Sequence, residues 1–422
     1  MDAKNNFLMK NLSESMEDAE WFLKYRDQAF SQINKLSAPK IERLNYTEWN
    51  LFEKPDFVVE NEATNPRQQI KDEVNIDFIQ RSSGNLEGIS NEDSEIFVSS
   101  FKELFQTNNE KFEHLYKQSE FIHFKDKFNA FNLAYLTSGV FIYIPKEIEV
   151  KEPIHLTFLN EESAHRNKNH QVFIYAEANS TVEIIESYYS VENQEETSKV
   201  NVHVHIQADR GAKIKYTSID ELDENTQAFF RRTGRTGDDS RVDLALGVMS
   251  DGNIIEDIQM DLIGAGSSGD IKAVAISRKN QTQVINTKVT NHGAHTVGNI
   301  YQHGVVLDQA TLTFNGVGDV LKNAKNSDAQ QESRILILSE EARADTNPIL
   351  LIDEYELTAG HAASISRVDD MQLYYLMSRG LGRTEAERLV IRGFLGSVLM
   401  AISVEEIRNN LIETIERKLS VL

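Results

Sequence analysis

Apolar and polar residues alternate singly along the middle of the chain, from about Val140 to Ile365. Thr181-Val-Glu-Ile-Ile-Glu, Val202-His-Val-His-Ile, Lys213-Ile-Lys-Tyr and Thr311-Leu-Thr-Phe are examples. A period of two is the pattern of strands with one buried face. Turn-like openings precede several runs: Asp209-Arg-Gly-Ala, Asp251-Gly-Asn, Lys279-Asn-Gln-Thr and Leu307-Asp-Gln-Ala. They return at roughly 30-residue intervals, too irregularly for a strict repeat. Many short strands with few helices predict a stacked-strand solenoid or a sandwich, and periodicity does not choose between them.

The two ends of the chain follow a helical period instead. From Glu20, the positions Phe22, Tyr25, Ala29, Ile33 and Leu36 fall on one helix face, and Pro39 stops the run. Asn61–Asn75 and Ser82–Glu95 are polar and read as surface loops or linkers. Near the other end, Asp369 with Gln372 can cap a helix through Ser378, with Gly380 and Gly382 to end it. Thr384 with Glu387, and Ser403 with Glu406, have the spacing of capping boxes. The last helix carries Ile407, Leu411, Ile415 and Leu419 on one stripe and an i,i+4 pair of Glu413 and Arg417. The expected layout is a helical region with linkers over 1–138, a β core over 139–368 and a helical domain over 369–422.

Composition narrows the chemistry. The 422 residues are 40% hydrophobic and 26% charged, with a formal charge of −22. That acidity argues against nucleic acid and anionic membrane surfaces as partners. The chain has no cysteine, so disulfides, thiol nucleophiles and Cys-ligated metal sites are excluded. A metal would have to be held by His, Asp, Glu or backbone oxygen. The start lacks a signal-like apolar segment, and the longest apolar stretch, Phe394 to Val404, is too short to span a bilayer. A cytoplasmic protein is expected.

Histidine is then the first place to look for chemistry. His203 and His205 share one strand face, a spacing that cupin-like metal sites use, but no third and fourth ligand are evident at useful spacing, and a solvated face that tolerates histidine is the ordinary reading. His292, His295 and His303 surround Gly293 and Gly304, which suggests turn chemistry or a backbone held close to a ligand or to the next coil. Arg231-Arg-Thr-Gly-Arg-Thr-Gly is the most basic short segment and reads as a solvated turn or an anion cradle; it is no P-loop. Ile263-Gly-Ala-Gly-Ser-Ser-Gly lacks a dinucleotide-binding context. His361, in Leu357-Thr-Ala-Gly-His-Ala-Ala-Ser-Ile, stands alone at the edge of the β region. The carboxylates recur at no fixed position that would mark a carbohydrate-active β-helix enzyme.

Three C-terminal segments carry a specific resemblance: Asn347-Pro-Ile-Leu-Leu-Ile-Asp-Glu, Ala359-Gly-His-Ala-Ala-Ser-Ile and Gln372-Leu-Tyr-Tyr-Leu-Met-Ser-Arg-Gly-Leu. Together with Gly139-Val-Phe-Ile-Tyr-Ile-Pro-Lys and Glu152-Pro-Ile they resemble the SufB/SufD family of iron–sulfur cluster assembly proteins. Glu20-Trp-Phe-Leu, Arg26, Ala29, Leu36 and Trp49 are similar to its SufD branch. The resemblance runs from about residue 20 to the end.

It implies a mainly β fold, a right-handed parallel β-helix flanked by N-terminal and C-terminal helical domains. It implies a scaffold and not an enzyme, pairing with SufB through the β-helix ends and binding the SufC ATPase through the C-terminal helices. Tyr374, Arg379, Arg383, Glu387 and Arg392 are candidate docking positions. A cysteine desulfurase with its sulfur carrier would act indirectly, and a homodimer could form where SufB is absent. No cofactor is expected on the isolated chain. His361 lies where the resemblance implies a histidine facing SufB, a candidate metal ligand of a transient Fe–S cluster in the complex. Ala362 follows it, and the region near Gln331-Glu-Ser-Arg offers no thiol, so thiolates would come from the partner.

Overall fold

The computed structural model describes residues 3–55, 77–80, 85–89, 96–160, 167–190, 197–400, 402 and 404–420. The polar segment 61–75 lies outside these residues, as does most of 82–95. The helices are α1 (Ala3–Met16), α2 (Glu20–Gln32), α3 (Phe101–Gln106), α4 (Glu110–Tyr116), α5 (Lys127–Ala134), α6 (Asp370–Ser378), α7 (Arg383–Leu399) and α8 (Glu405–Leu419). The first strands are β1 (Asp77–Gln80), β2 (Leu86–Ile89) and β3 (Phe97–Ser100). There follow β4 (Ser138–Ile144), β5 (Ile154–Asn160), β6 (Asn167–Ala176), β7 (Thr181–Ser190), β8 (Ser198–Ala208), β9 (Lys213–Glu221), β10 (Thr226–Thr236) and β11 (Arg241–Val248). The last are β12 (Asn253–Leu262), β13 (Ser268–Ser277), β14 (Thr282–Asn291), β15 (Val297–Val306), β16 (Thr311–Val320), β17 (Ser327–Ile337), β18 (Arg343–Ile352) and β19 (Leu357–Ser366).

From β4 onward, each strand pairs in parallel with the strand two places along the chain. Odd and even strands thus form two facing sheets, in the orders β5-β7-β9 to β19 and β4-β6-β8 to β18. This is a β-solenoid of about seven turns, which settles the choice against a sandwich. Side chains 29 to 32 positions apart stack and bond directly, as in the amide ladder Asn286–Asn315–Asn347. The irregular 30-residue spacing is therefore the coil length.

One corner of the coil explains several sequence features together. Asn179, Gly211, Asp239, Gly266, His295 and Asn326 all adopt left-handed backbone, one per coil. The N–H of each donates to a carbonyl of the next coil, for instance His295 to Lys325. Glycine follows from the same stacking: a Cβ on Gly264 would lie 2.1 Å from Asp238 N, and one on Gly293 would lie 2.6 Å from the Gly264 carbonyl. Gly293, beside His292, holds backbone close to the neighbouring coil, whereas Gly304, beside His303, leaves room for the Leu312 and Phe314 side chains.

The helical regions cover the flanks of the solenoid. α2–α5 bury Phe22, Phe101, Phe112, Tyr116 and Phe131 against Phe141 and Phe173 of the even sheet. The arm through Tyr46, Trp49 and Leu51 covers Phe229, Ile255 and Val284 on the same sheet. On the odd sheet, α7 and α8 bury Ile391, Leu395, Leu411 and Ile415 against Ile219, Val274 and Val305. The predicted stripe of α8 is buried as expected.

The pairing of Glu413 with Arg417 is not made. Arg417 bonds Glu221 of β9 instead, at 2.7 Å, because a solenoid carboxylate faces that turn of α8. Of the predicted caps, Asp369 holds, accepting from Met371 N. α7 begins earlier than Thr384 would place it, and Glu385 reaches back to Gly382 N. The N-cap of α8 is Val404, without a side-chain cap, and Ser403 lies outside the described residues.

α2 is fixed by one buried ion pair. Arg26 meets Asp18 at 2.7 Å and donates to the carbonyls of Ala134, the last residue of α5, and Leu136 just beyond it. Removing one partner strands the other, so Arg26→Ala is expected to lower stability by about 3 kcal/mol or more. Urea unfolding of the full chain checks this, and a loss under 1 kcal/mol would refute it.

Candidate functional site at the open end of the solenoid

The flanking helices leave the last coil uncovered at one end. Among the described residues, β18 and β19 each have one unpaired strand edge; most of β19 is exposed, and β18 is partly so. Ile349, Leu351, Ile352 and Ile365 stand partly in solvent there. A bare apolar strand edge of this kind is a template for another chain.

His361 lies on β19 in register with Gln331 of β17. In-register residues of a parallel pair point to the same side. Gln331 lies between the core residues Ala329 and Ile335 along its strand, so it and His361 belong to the inward row. His361 is thus exposed at the mouth of the solenoid, on the rung above a buried amide. The neighbouring rungs hold a polar group, in which Ser333 Oγ donates to Gln302 Oε1 at 2.8 Å and Gln302 Nε2 donates to Thr287 Oγ1 at 3.0 Å. Beside the mouth, a cavity of about 600 Å³ separates the outer face of β19 from α6 and α7, lined by Ser364, Ser366, Arg367, Gln372, Gly393 and Phe394.

The other candidates are placed elsewhere. His203 and His205 are on one face, as the spacing requires, but that face is covered rather than solvated. Both pack against Phe121, and His205 Nδ1 lies 2.9 Å from Thr233 Oγ1. Burial pushes the His203 ring well below its ordinary range and His205 down to about 3. Among the described residues, no three His, Asp or Glu side chains converge as metal ligands would, and this removes the support for a cupin-like centre.

The cluster of His292, His295 and His303 is divided. His292 is on the surface beside Asp261, at 3.2 Å, and His295 is one of the stacked corners. His303 is buried under α7, with Nδ1 3.0 Å from the Phe394 carbonyl and Nε2 2.9 Å from Glu332.

Arg231 and Arg232 form neither a solvated turn nor an anion cradle. They lie within β10, and both are buried. Arg231 faces outward, clasped by Asp126 and Asp257, each at 2.8 Å, and lies over the Phe128 ring. Arg232 faces into the solenoid, where it meets Glu256, Tyr216 and Ser218. Tyr188 and Tyr216 both donate to Glu186 Oε2. Adjacent arginines on a strand point to opposite faces, and each finds carboxylates on its own side.

Two family profiles match the chain. One, described as "SUF system FeS cluster assembly, SufBD core domain", covers residues 158–394. The other, "SufBD protein N-terminal region", covers residues 73–156. The chain belongs to the SufBD family. The iron–sulfur cluster assembly protein SufD of Bacillus subtilis is 35% identical, over 97% of each chain. A SufBD-family assembly protein of Staphylococcus saprophyticus is 25% identical, over 92% of this chain and 87% of that one. A Staphylococcus aureus relative is 24% identical, with the same coverage.

As a SufBD protein of the SufD type, this chain takes part in iron–sulfur cluster assembly by the SUF system. Among the described residues, no helix is long and apolar enough to cross a membrane.

Three residues that sequence reasoning missed, Met371, Tyr375 and Leu389, lie on α6 and α7, beside the candidate docking position Tyr374. Met371 and Tyr375 are more than half exposed and Leu389 is half exposed, and a groove of about 450 Å³ runs between them, over Leu376 and Val390. The polar positions singled out in the sequence flank this patch. Arg379 stacks on Tyr375, and Arg383 pairs with Glu387 at 2.9 Å. Met371 and Tyr375 fall at helical spacing, but Leu389 comes from the next helix, so no short window on the sequence joins the two sides of the groove.

Proposed function

We propose that this chain is a non-catalytic scaffold subunit of the SUF machine, working in the cytoplasm. It pairs with a cysteine-bearing SufB through the open end of its solenoid and carries the SufC ATPase on α6 and α7. His361 offers its imidazole to a nascent iron–sulfur cluster built across that junction.

The observation that carries the reading is His361 at the mouth of an uncovered solenoid end, between two unpaired strand edges. A chain without cysteine brings no thiolate to iron, so the remaining ligands and the sulfur-accepting thiol belong to the partner. Sulfur reaches that partner from a cysteine desulfurase and its carrier. The apolar groove on α6 and α7 supports a second, separate docking surface, since adjoining exposed apolar side chains are a common feature of contact sites. Nucleotide-driven closure of two ATPase subunits on such helices would act on both solenoids together.

Purification of the tagged chain from cells that express the whole system tests the partners: an ABC-type ATPase and a cysteine-bearing paralogue are expected with it. His361→Ala is expected to leave the complex and its circular dichroism unchanged while cluster yield falls about ten-fold or more, since even indirect support of a metal ligand is worth that much. Normal cluster yield from the variant complex would sink the assignment of His361.

A further inference from the structure

We infer that Gln331 is a positioning residue for His361: its amide fixes which imidazole nitrogen carries the proton and turns the bare nitrogen out of the solenoid mouth. The purpose of this arrangement rests on the reading of His361 as an iron ligand; the geometry itself is testable without iron.

Four observations converge. Gln331 is the in-register neighbour of His361, on the same inward row and one rung deeper. Its Nε2 donates to the Ile349 carbonyl at 2.9 Å, and only the NH₂ end of an amide can do so, which makes Oε1 the free acceptor. That Oε1 is buried and has no hydrogen-bond partner among the described residues. The amide also has a built seat. A Cβ on Gly316 would lie 3.0 Å from Oε1, and one on Gly318 would lie 2.6 Å from Nε2, so both glycines leave room for it.

The neighbouring donors are already committed. Ser333 Oγ donates to Gln302 Oε1, and Gln302 Nε2 donates to the Ile285 carbonyl and Thr287. The next rung supplies the imidazole N–H of His361, whose side chain makes no hydrogen bond to any described residue. A neutral imidazole has one N–H and one lone pair. Donation of that N–H to Oε1 selects one tautomer and commits the lone pair to the open side. Metal-binding histidines are commonly fixed in this way by an oxygen behind them.

The test is histidine-selective ¹⁵N NMR of the full chain at one pH, with His361→Asn used to assign the signal. In the wild type, the His361 ring is expected in a single tautomer. In Gln331→Met, of similar length but without the acceptor, the two tautomers should mix. In Gln331→Glu, which keeps an acceptor, the single form should return, with circular dichroism confirming the fold of both variants. Ring signals in Gln331→Met identical to wild type would overturn the inference. If instead the signals mix while His361→Ala still builds clusters normally, the positioning stands and the ligand role of His361 falls.

Discussion

Arg232→Ala is expected to cost about 3–5 kcal/mol of folding stability, a large part of the roughly 5–15 kcal/mol that holds a domain together. Arg232 is 1% exposed, inside the solenoid. Its guanidinium bonds Glu256, Ser218 Oγ at 2.7 Å and Tyr216 OH at 3.1 Å, and lies over the Phe230 ring. Three buried carboxyls share this region: Glu256, Glu186 and Asp220. Burial pushes all three up, and the arginine draws each back without cancelling the effect. Arg232 itself keeps its charge, since the carboxylate and phenol groups around it outweigh its own burial.

Alanine at 232 would leave Glu256 to take up a proton, Ser218 and Tyr216 without their donor, and a cavity the size of the lost side chain. Protonation keeps the cost to several kcal/mol rather than the far larger penalty of an isolated buried charge. Joint replacement with Arg232→Met and Glu256→Leu is expected to recover most of the loss, because apolar pairs of similar volume replace buried ion pairs at little cost. Urea unfolding of the full chains measures both. An Arg232→Ala chain within 1 kcal/mol of wild type would show that the network contributes little.

The same arginine shows where the sequence stops being legible. Strand alternation could be read wherever the inward row is apolar, as in Val202, Val204 and Ile206 of β8. It failed at Arg231-Arg-Thr-Gly-Arg-Thr, where the inward row itself holds Arg232 and Gly234, so a buried strand carries the composition of a solvated turn. The partners that make burial tolerable, Glu256 and Tyr216, come from adjacent coils, and no local window joins them.

His203 and His205 failed for a related reason. Their period was read correctly, but what covers them is Phe121 and Phe128, about 80 residues earlier in the chain. The glycines of the corners were legible as turns, and their stacking became visible only once the coil length was fixed. His361 is the opposite case. Its surroundings within this chain are sparse, and resemblance to the SufB/SufD family singled it out where spacing did not. The structure adds the buried amide on the rung below it and the unpaired edges on either side.

Those edges support the second large effect. Leu351→Glu is expected to leave the isolated chain folded while weakening its pairing with a SufB-type partner at least about 30-fold, the loss expected when a central contact worth about 2 kcal/mol is removed. Leu351 is 48% exposed on β18, with Ile349 and Ile352 beside it, so a charge there meets water in the free chain and costs little. In a joined pair it would be desolvated within an apolar contact, and charged side chains on edge strands are a standard bar to strand addition. The Asn286–Asn315–Asn347 ladder ends on the same strand, so β18 presents an ordered amide to the incoming chain beside its apolar side chains.

Sedimentation of the purified variant with and without the paralogue separates the two effects. A variant that unfolds alone would assign Leu351 to the core, and one that pairs as tightly as wild type would remove β18 from the junction. Glu387→Ala provides the internal control. It lies on α7, paired with Arg383, and is expected to leave this pairing unchanged. Loss of pairing in Leu351→Glu but not in Glu387→Ala would locate the junction at the open coil, where His361 is exposed and the thiolates it lacks would have to arrive.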